Sequence, residues 1–288
     1  MERKKLVKIV PIIIICVLMD IALHLVTSEY STMPKNPNYS KLVDLLGIEI
    51  TVTIWSLLAF STAAYVFFRA QNSIPGVGLK KGLRYGSAIA LLWLFAMMEG
   101  VSLFGNSIIN EFMVGLSDAI PVLVMSILLS LLEAKKEDNP ELKPLTLSQK
   151  IMAVCIFSLI FLCGRYMAYF TQVIKSGYQT SPSYTFIWTL LMGACIGKVC
   201  ILLGNAGNTL SLERRTVKFG VLIFGVNWAA FLIFMPLLFS GYLMDVLIRI
   251  FLDILIVTIA YYLTFSMWIR AQLRFRLCAV LAGFHRPV

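Results

Sequence analysis

Ten ionisable side chains interrupt otherwise apolar helical stretches of this chain: Asp20, His24, Glu49, Glu99, Asp118, Arg165, Lys198, Asp245, Arg249 and Asp253. A charge held in hydrocarbon is costly unless it is paired or hydrated, so such residues face a cavity or each other. Asp20 and His24 are four apart and share one helix face, where they can relay a proton, bind a metal or simply tie two helices. Asp118 stands three residues before Pro121, whose missing N–H frees a carbonyl one turn back, near Ser117. A carboxylate beside a free carbonyl suits a cation or a proton, and it equally suits a hydrated kink. Arg165 has no acid nearby on its own helix and cannot shed its proton, so its partner lies on another helix or is an anion. Asp245, Arg249 and Asp253 are spaced i, i+4, i+8. That stripe reads first as an internally neutralised seam, with Arg165 able to balance the second acid. Glu49 reads as an interfacial acid, and Lys198 as a side chain that snorkels to the membrane surface.

These residues need helices that cross a bilayer. The chain has 288 residues, 59% of them hydrophobic and 14% charged, with a mean hydropathy of +0.85. A soluble domain needs far more polar surface than that. Apolar runs of membrane-spanning length cover 7–26, 45–68, 84–105, 110–132, 150–172, 183–204, 218–239 and 244–268. The expected fold is an all-α integral membrane protein with eight transmembrane helices. The first run is too long for a signal-peptide core and has no cleavage site after it, so it is expected to remain.

The net charge of +10 is a topology signal rather than a nucleic-acid footprint. Arg3, Lys4, Lys5, Lys8, Arg69, Lys80, Lys81, Arg84, Lys135, Lys136, Lys143, Lys150, Arg214, Arg215, Lys218, Arg270, Arg274, Arg276 and Arg286 fall on one side of the expected membrane, and only Lys35, Lys41 and Lys175 on the other. The positive-inside rule then places both termini in the cytoplasm, with the intramembrane acids in the outer half. Expected partners are the lipid bilayer, anionic headgroups at the basic loops, and a second copy or partner subunit; no nucleic acid is expected. A bacterial plasma membrane is the expected location. The six cysteines have no metal-type spacing and read as small packing residues.

The chain also repeats. Ile54-Trp55-Ser56-Leu57-Leu58 returns as Ile187-Trp188-Thr189-Leu190-Leu191, 133 positions on. Arg84-Tyr85-Gly86 returns as Lys218-Phe219-Gly220 after 134, and Asp118 as Asp253 after 135. Four helices per unit predict two parallel four-helix repeats about an axis along the membrane normal. The expected parts are 1–132, a cytoplasmic linker 133–148 with Ser148 as helix cap, 149–270, and a basic tail 271–288. The Gly78–Gly86 run resembles a segment of small four-helix bacterial membrane proteins of unknown function, which implies only that four helices form the unit.

There is no His-Glu-x-x-His, Gly-x-Ser-x-Gly, Cys-x-x-Cys or nucleotide-binding loop. Gly193-xxx-Gly197 predicts close helix packing, and Gly204–Asn208 a turn. The leading expectation is a small transporter or permease for a cation or proton-coupled solute. Its outward vestibule would be lined by Asp20, His24, Glu99, Asp118, Arg165, Arg249 and Asp253, with no cofactor. The alternatives are an intramembrane enzyme acting on a lipid or envelope precursor, with His24 and acids as metal or acid-base groups, and an accessory or sensory protein whose charges only lock helices.

Overall fold

Each apolar run satisfies its backbone hydrogen bonds internally, and helices result. The computed structural model describes residues 3–31, 37–134, 145–204 and 210–281, with side chains described between residues 8 and 268. In chain order the helices are α1 (Arg3–Val26), α2 (Lys41–Leu46), α3 (Ile48–Ala70), α4 (Gly78–Met97), α5 (Gly100–Phe104), α6 (Ile108–Leu132), α7 (Leu147–Phe170), α8 (Pro182–Leu203), α9 (Leu212–Val217), α10 (Val226–Leu232), α11 (Phe234–Leu238) and α12 (Leu243–Leu281). A π-helical stretch, Lys218–Gly225, joins α9 to α10. Among the described residues the only β pairing is one isolated bridge, Tyr39 to Phe239.

Among the described residues seven helical spans are long and apolar enough to cross a membrane: Lys8–Val26, Ile48–Ser73, Gly78–Phe104, Ile108–Leu132, Leu147–Phe170, Pro182–Leu203 and Leu212–Leu238. These match the first seven expected runs. The last expected run, 244–268, lies on α12, one continuous helix of 39 residues.

Three local details differ from expectation. The third span starts at Gly78, not residue 84, so Lys80, Lys81 and Arg84 sit within its first two turns. The same span breaks at Met98–Glu99; a Cβ on Gly100 would lie 2.0 Å from Glu111 Oε1, so only glycine lets the chain pass that carboxylate. The fifth expected helix is capped by Thr146 rather than Ser148, because Thr146 and Gln149 form a reciprocal capping box. Most of the linker (135–144), the tail beyond Leu281 and residues 205–208 of the expected turn lie outside the described residues.

The helices alternate in direction. Lys8 at the start of α1 meets Glu133 after α6 at 3.3 Å. At the other end of the same pair, His24 meets Asp118 at 3.1 Å. We call the end holding Lys8, Lys80 and Lys218 the basic end. Tyr261 of α12 donates to the Gly204 carbonyl at that end (2.7 Å), while Asp245, in its first turn, reaches Lys175 at the far end. One buried aromatic and aliphatic core, including Trp55, Phe60, Phe67, Trp93, Trp228 and Phe231, unites the bundle. Two tryptophans stitch it: Trp55 of α3 donates to the carbonyls of Ala230 (3.2 Å) and Phe231 (3.3 Å), and Trp188 of α8 donates to that of Phe95 (2.8 Å). Gly193 and Gly197 bring α8 against α7 as their spacing predicts; a Cβ at Gly193 would lie 2.6 Å from Ser158 Cα.

Candidate functional site: two polar groups at the end opposite the basic surface

Arg165 projects from the second-to-last turn of α7 and is fully buried. Phe161 and Tyr169, one turn either way, lie on the same face, and the guanidinium also stands 5.6 Å from the Trp188 ring. Its planar fork matches Asp253 of α12: Nε donates to Oδ1 and Nη2 to Oδ2, both at 2.6 Å. Such a bidentate pair is strong and fixes orientation. Trp228 Nε1 donates to the same Oδ2 at 2.9 Å. Arg165 Nη1 turns to Glu99 Oε1 at 3.0 Å, which also accepts from Arg249 Nη1. Arg249 Nη2 donates to the Lys175 carbonyl (2.7 Å) and to Asp245 (3.2 Å). Three carboxylates and two guanidiniums therefore link α7, α12, the break after α4 and the loop before α8 into one closed network. The i, i+4, i+8 stripe is thus only partly self-neutralised: Arg249 takes Asp245, and Asp253 goes to α7.

The second group lies between α1, α3 and α6. Ser56 Oγ of α3 donates to Asp20 Oδ2 at 2.7 Å. His24 Nε2 lies 3.1 Å from Asp118 Oδ1 and 3.7 Å from Asp20 Oδ1. The second distance exceeds a hydrogen bond. Asp20 and Asp118 are 0% and 2% exposed, whereas the His24 side chain is 32% exposed. Asp20 Oδ1 is fully buried and has no hydrogen-bond partner. Beside the group, Thr27 and Ser117 share a hydroxyl contact at 3.0 Å. α6 runs through Pro121 as one helix, and Ser117 Oγ bonds back to the Met113 carbonyl (3.2 Å).

An unpartnered buried carboxylate oxygen beside a second carboxylate is electrostatically unfavourable. Asp20→Asn is therefore expected to stabilise chelator-treated protein by about 1 kcal/mol, since the amide supplies a donor where two acids face each other. A higher melting temperature in detergent checks this; a lower one would show that the carboxylate is already satisfied.

The structure places the expected residues as two groups rather than one. Asp20, His24 and Asp118 form the first; Glu99, Arg165, Arg249 and Asp253, joined by Asp245, form the second. Among the described residues no hydrogen bond or ion pair joins them. Glu49 and Lys198 are exposed, in keeping with their interfacial readings. Glu111 is a further buried acid, absent from the sequence-derived set. It accepts from Asn106 Nδ2 at 2.6 Å, and its Oε2 lacks a partner. Its position in the first turn of α6 makes it look interfacial, and only the approach of Gly100 shows that it is covered. Lys81 is likewise fully buried near the start of α4.

Open space lies elsewhere. A shallow groove of about 450 Å³ at the basic end is lined by Leu79, Lys80, Leu83, Arg84, Ser87 and Leu202.

Seven apolar spans with ionised groups tied across them define a multi-pass helical membrane protein. No family model, curated protein or solved structure matches the chain.

Proposed function

We propose that this protein is a small membrane permease for a cation, worked at Asp20, His24 and Asp118, while the Arg165 network is the frame that holds the bundle. The observation that carries this is the buried, unpartnered Asp20 oxygen facing His24 and Asp118. The Arg165 network sets three carboxylates against two guanidiniums, a net of −1 with each acid held by an arginine; two carboxylates with one neutral imidazole carry −2 and leave a buried oxygen bare. The partly exposed His24 stands between these acids and the surroundings, as a group that admits or releases a cation would.

The same reading takes α12 as an eighth crossing, with both termini cytoplasmic and the site toward the outer face. Contacts of α12 at both ends of the bundle support this. Two parallel four-helix repeats are supported by paired features. Each half ties its first long helix to its last through an acid, His24 to Asp118 and Arg165 to Asp253. Each half also sends one tryptophan to a carbonyl of the other. The groove bearing Lys80 and Arg84 at an apolar wall suits an anionic lipid headgroup.

Purified protein in vesicles loaded with pH-sensitive or divalent-cation-sensitive dyes tests the permease reading. Flux is expected from the native chain and from Glu49→Gln, and at least a tenfold loss in Asp118→Asn at equal incorporation. Native vesicles as tight as empty ones would overturn it. The closed Arg165 network favours the other reading, an accessory protein locked by charge, and that reading predicts no flux from any variant.

A further inference from the structure

We propose that Asp20, His24 and Asp118 form a three-ligand site for a divalent first-row transition ion of the zinc class. The inference rests on the reading of this group as the working site, and it names the ion.

The donor set is one imidazole nitrogen and two carboxylate oxygens, whose ligand atoms all lie within 4.8 Å of one another. Zinc bonds such atoms at about 2.0–2.2 Å, so neighbouring ligands of a tetrahedral ion stand about 3.4 Å apart. The two distances from His24 Nε2, 3.1 and 3.7 Å, bracket that edge. One is too long for a hydrogen bond, yet both suit a shared ion. An independent observation is the Asp20 oxygen itself: fully buried, pointed into the group, and without a donor. A cation supplies the missing partner. Two carboxylates and a neutral imidazole neutralise a divalent ion, which leaves no net charge in the apolar surroundings. Imidazole selects against magnesium and calcium, which prefer all-oxygen shells. Ser56 holds the outer oxygen of Asp20 at 2.7 Å and fixes the carboxylate, as supporting hydrogen bonds do at metal sites. Three protein ligands leave a fourth position open for water. That suits an ion that must be released rather than kept.

The full chain, purified in detergent and stripped with a chelator, is dialysed against Zn²⁺, Co²⁺ or Ca²⁺, and bound metal is measured. One Zn²⁺ or Co²⁺ per chain and no Ca²⁺ is the expected result. Bound Co²⁺ should show the visible absorption bands of a four- or five-coordinate ion. His24→Ala and Asp118→Asn should abolish uptake, Ser56→Ala should weaken it about tenfold, and Glu49→Gln should leave it intact. Zn²⁺ should raise the melting temperature of the native chain but not of Asp20→Asn, a near-isosteric variant that guards against loss of fold as the cause. No stoichiometric uptake, or uptake that survives both His24→Ala and Asp20→Asn, would overturn the proposal. Proton flux in vesicles without metal uptake would sink the metal site and spare the permease; metal uptake without flux would do the reverse.

Discussion

Replacing Asp253 by alanine is expected to destabilise the bundle by about 3–5 kcal/mol, the cost of stripping a buried cation of its bidentate partner and leaving it only the Glu99 oxygen it shares with Arg249. Arg165 is fully buried and gives two of its hydrogen bonds to Asp253, so nothing nearby replaces the lost carboxylate. Glu99 gives Arg165 a single bond, through the Oε1 that also serves Arg249. Trp228 Nε1 loses its acceptor in the same step. The double variant Arg165→Met, Asp253→Leu should recover most of the stability, because it removes both charges together. Thermal unfolding of the single and double variants in one detergent gives the coupling between the two sites. If Asp253→Ala melts within about 1 kcal/mol of the native chain, the pair is hydrated rather than sealed.

The second large effect is steric. Gly193→Val should cost about 1–3 kcal/mol or more, since overpacking a filled contact shifts backbone. Its Cβ would stand 2.6 Å from Ser158 Cα and 2.9 Å from the Phe157 carbonyl oxygen, and neither backbone atom can rotate away. The α7–α8 pair must open, which draws the Trp188 ring off Arg165. Loss of melting temperature with quenched or shifted tryptophan emission is the readout. Leu191→Val, at a position 48% exposed, should change neither. A Gly193→Val chain as stable as the native one would show that α8 is not held against α7 as described.

The helices were legible because a predominantly apolar run near the bilayer thickness has few other ways to satisfy its backbone. The grouping of the acids at the end away from the basic residues was legible too, from helix direction and residue position. The pairing was legible in part. Arg165 was expected to find its partner on another helix and to balance the stripe's second acid, and it bonds Asp253, 88 residues away; spacing alone gave neither the bidentate fork nor the Glu99 oxygen shared by both arginines. Glu111 escaped notice for a related reason: burial of a first-turn acid depends on which glycine passes over it. The His24–Asp118 contact was one of several pairings that Asp20's neighbour could have made, and only the packing of α1 on α6 selects it.

The π-helical stretch has its own consequence on the duplication proposed above. Gly86 corresponds to Gly220 at an offset of 134 positions. The Phe95 carbonyl that receives Trp188 and the Ala230 carbonyl nearer to Trp55 are 135 apart, as are Asp118 and Asp253. On that duplication the second half holds one residue more than the first between Gly220 and Ala230, where α4 is an unbroken α-helix and its proposed counterpart winds as π over Lys218–Gly225. Inserted into a regular α-helix, it would turn everything downstream by about 100°. Taken up as a widened turn, it leaves the later face in register. On that duplication the widened turn takes up the extra residue, and the Ala230 carbonyl stays on Trp55 as the Phe95 carbonyl stays on Trp188.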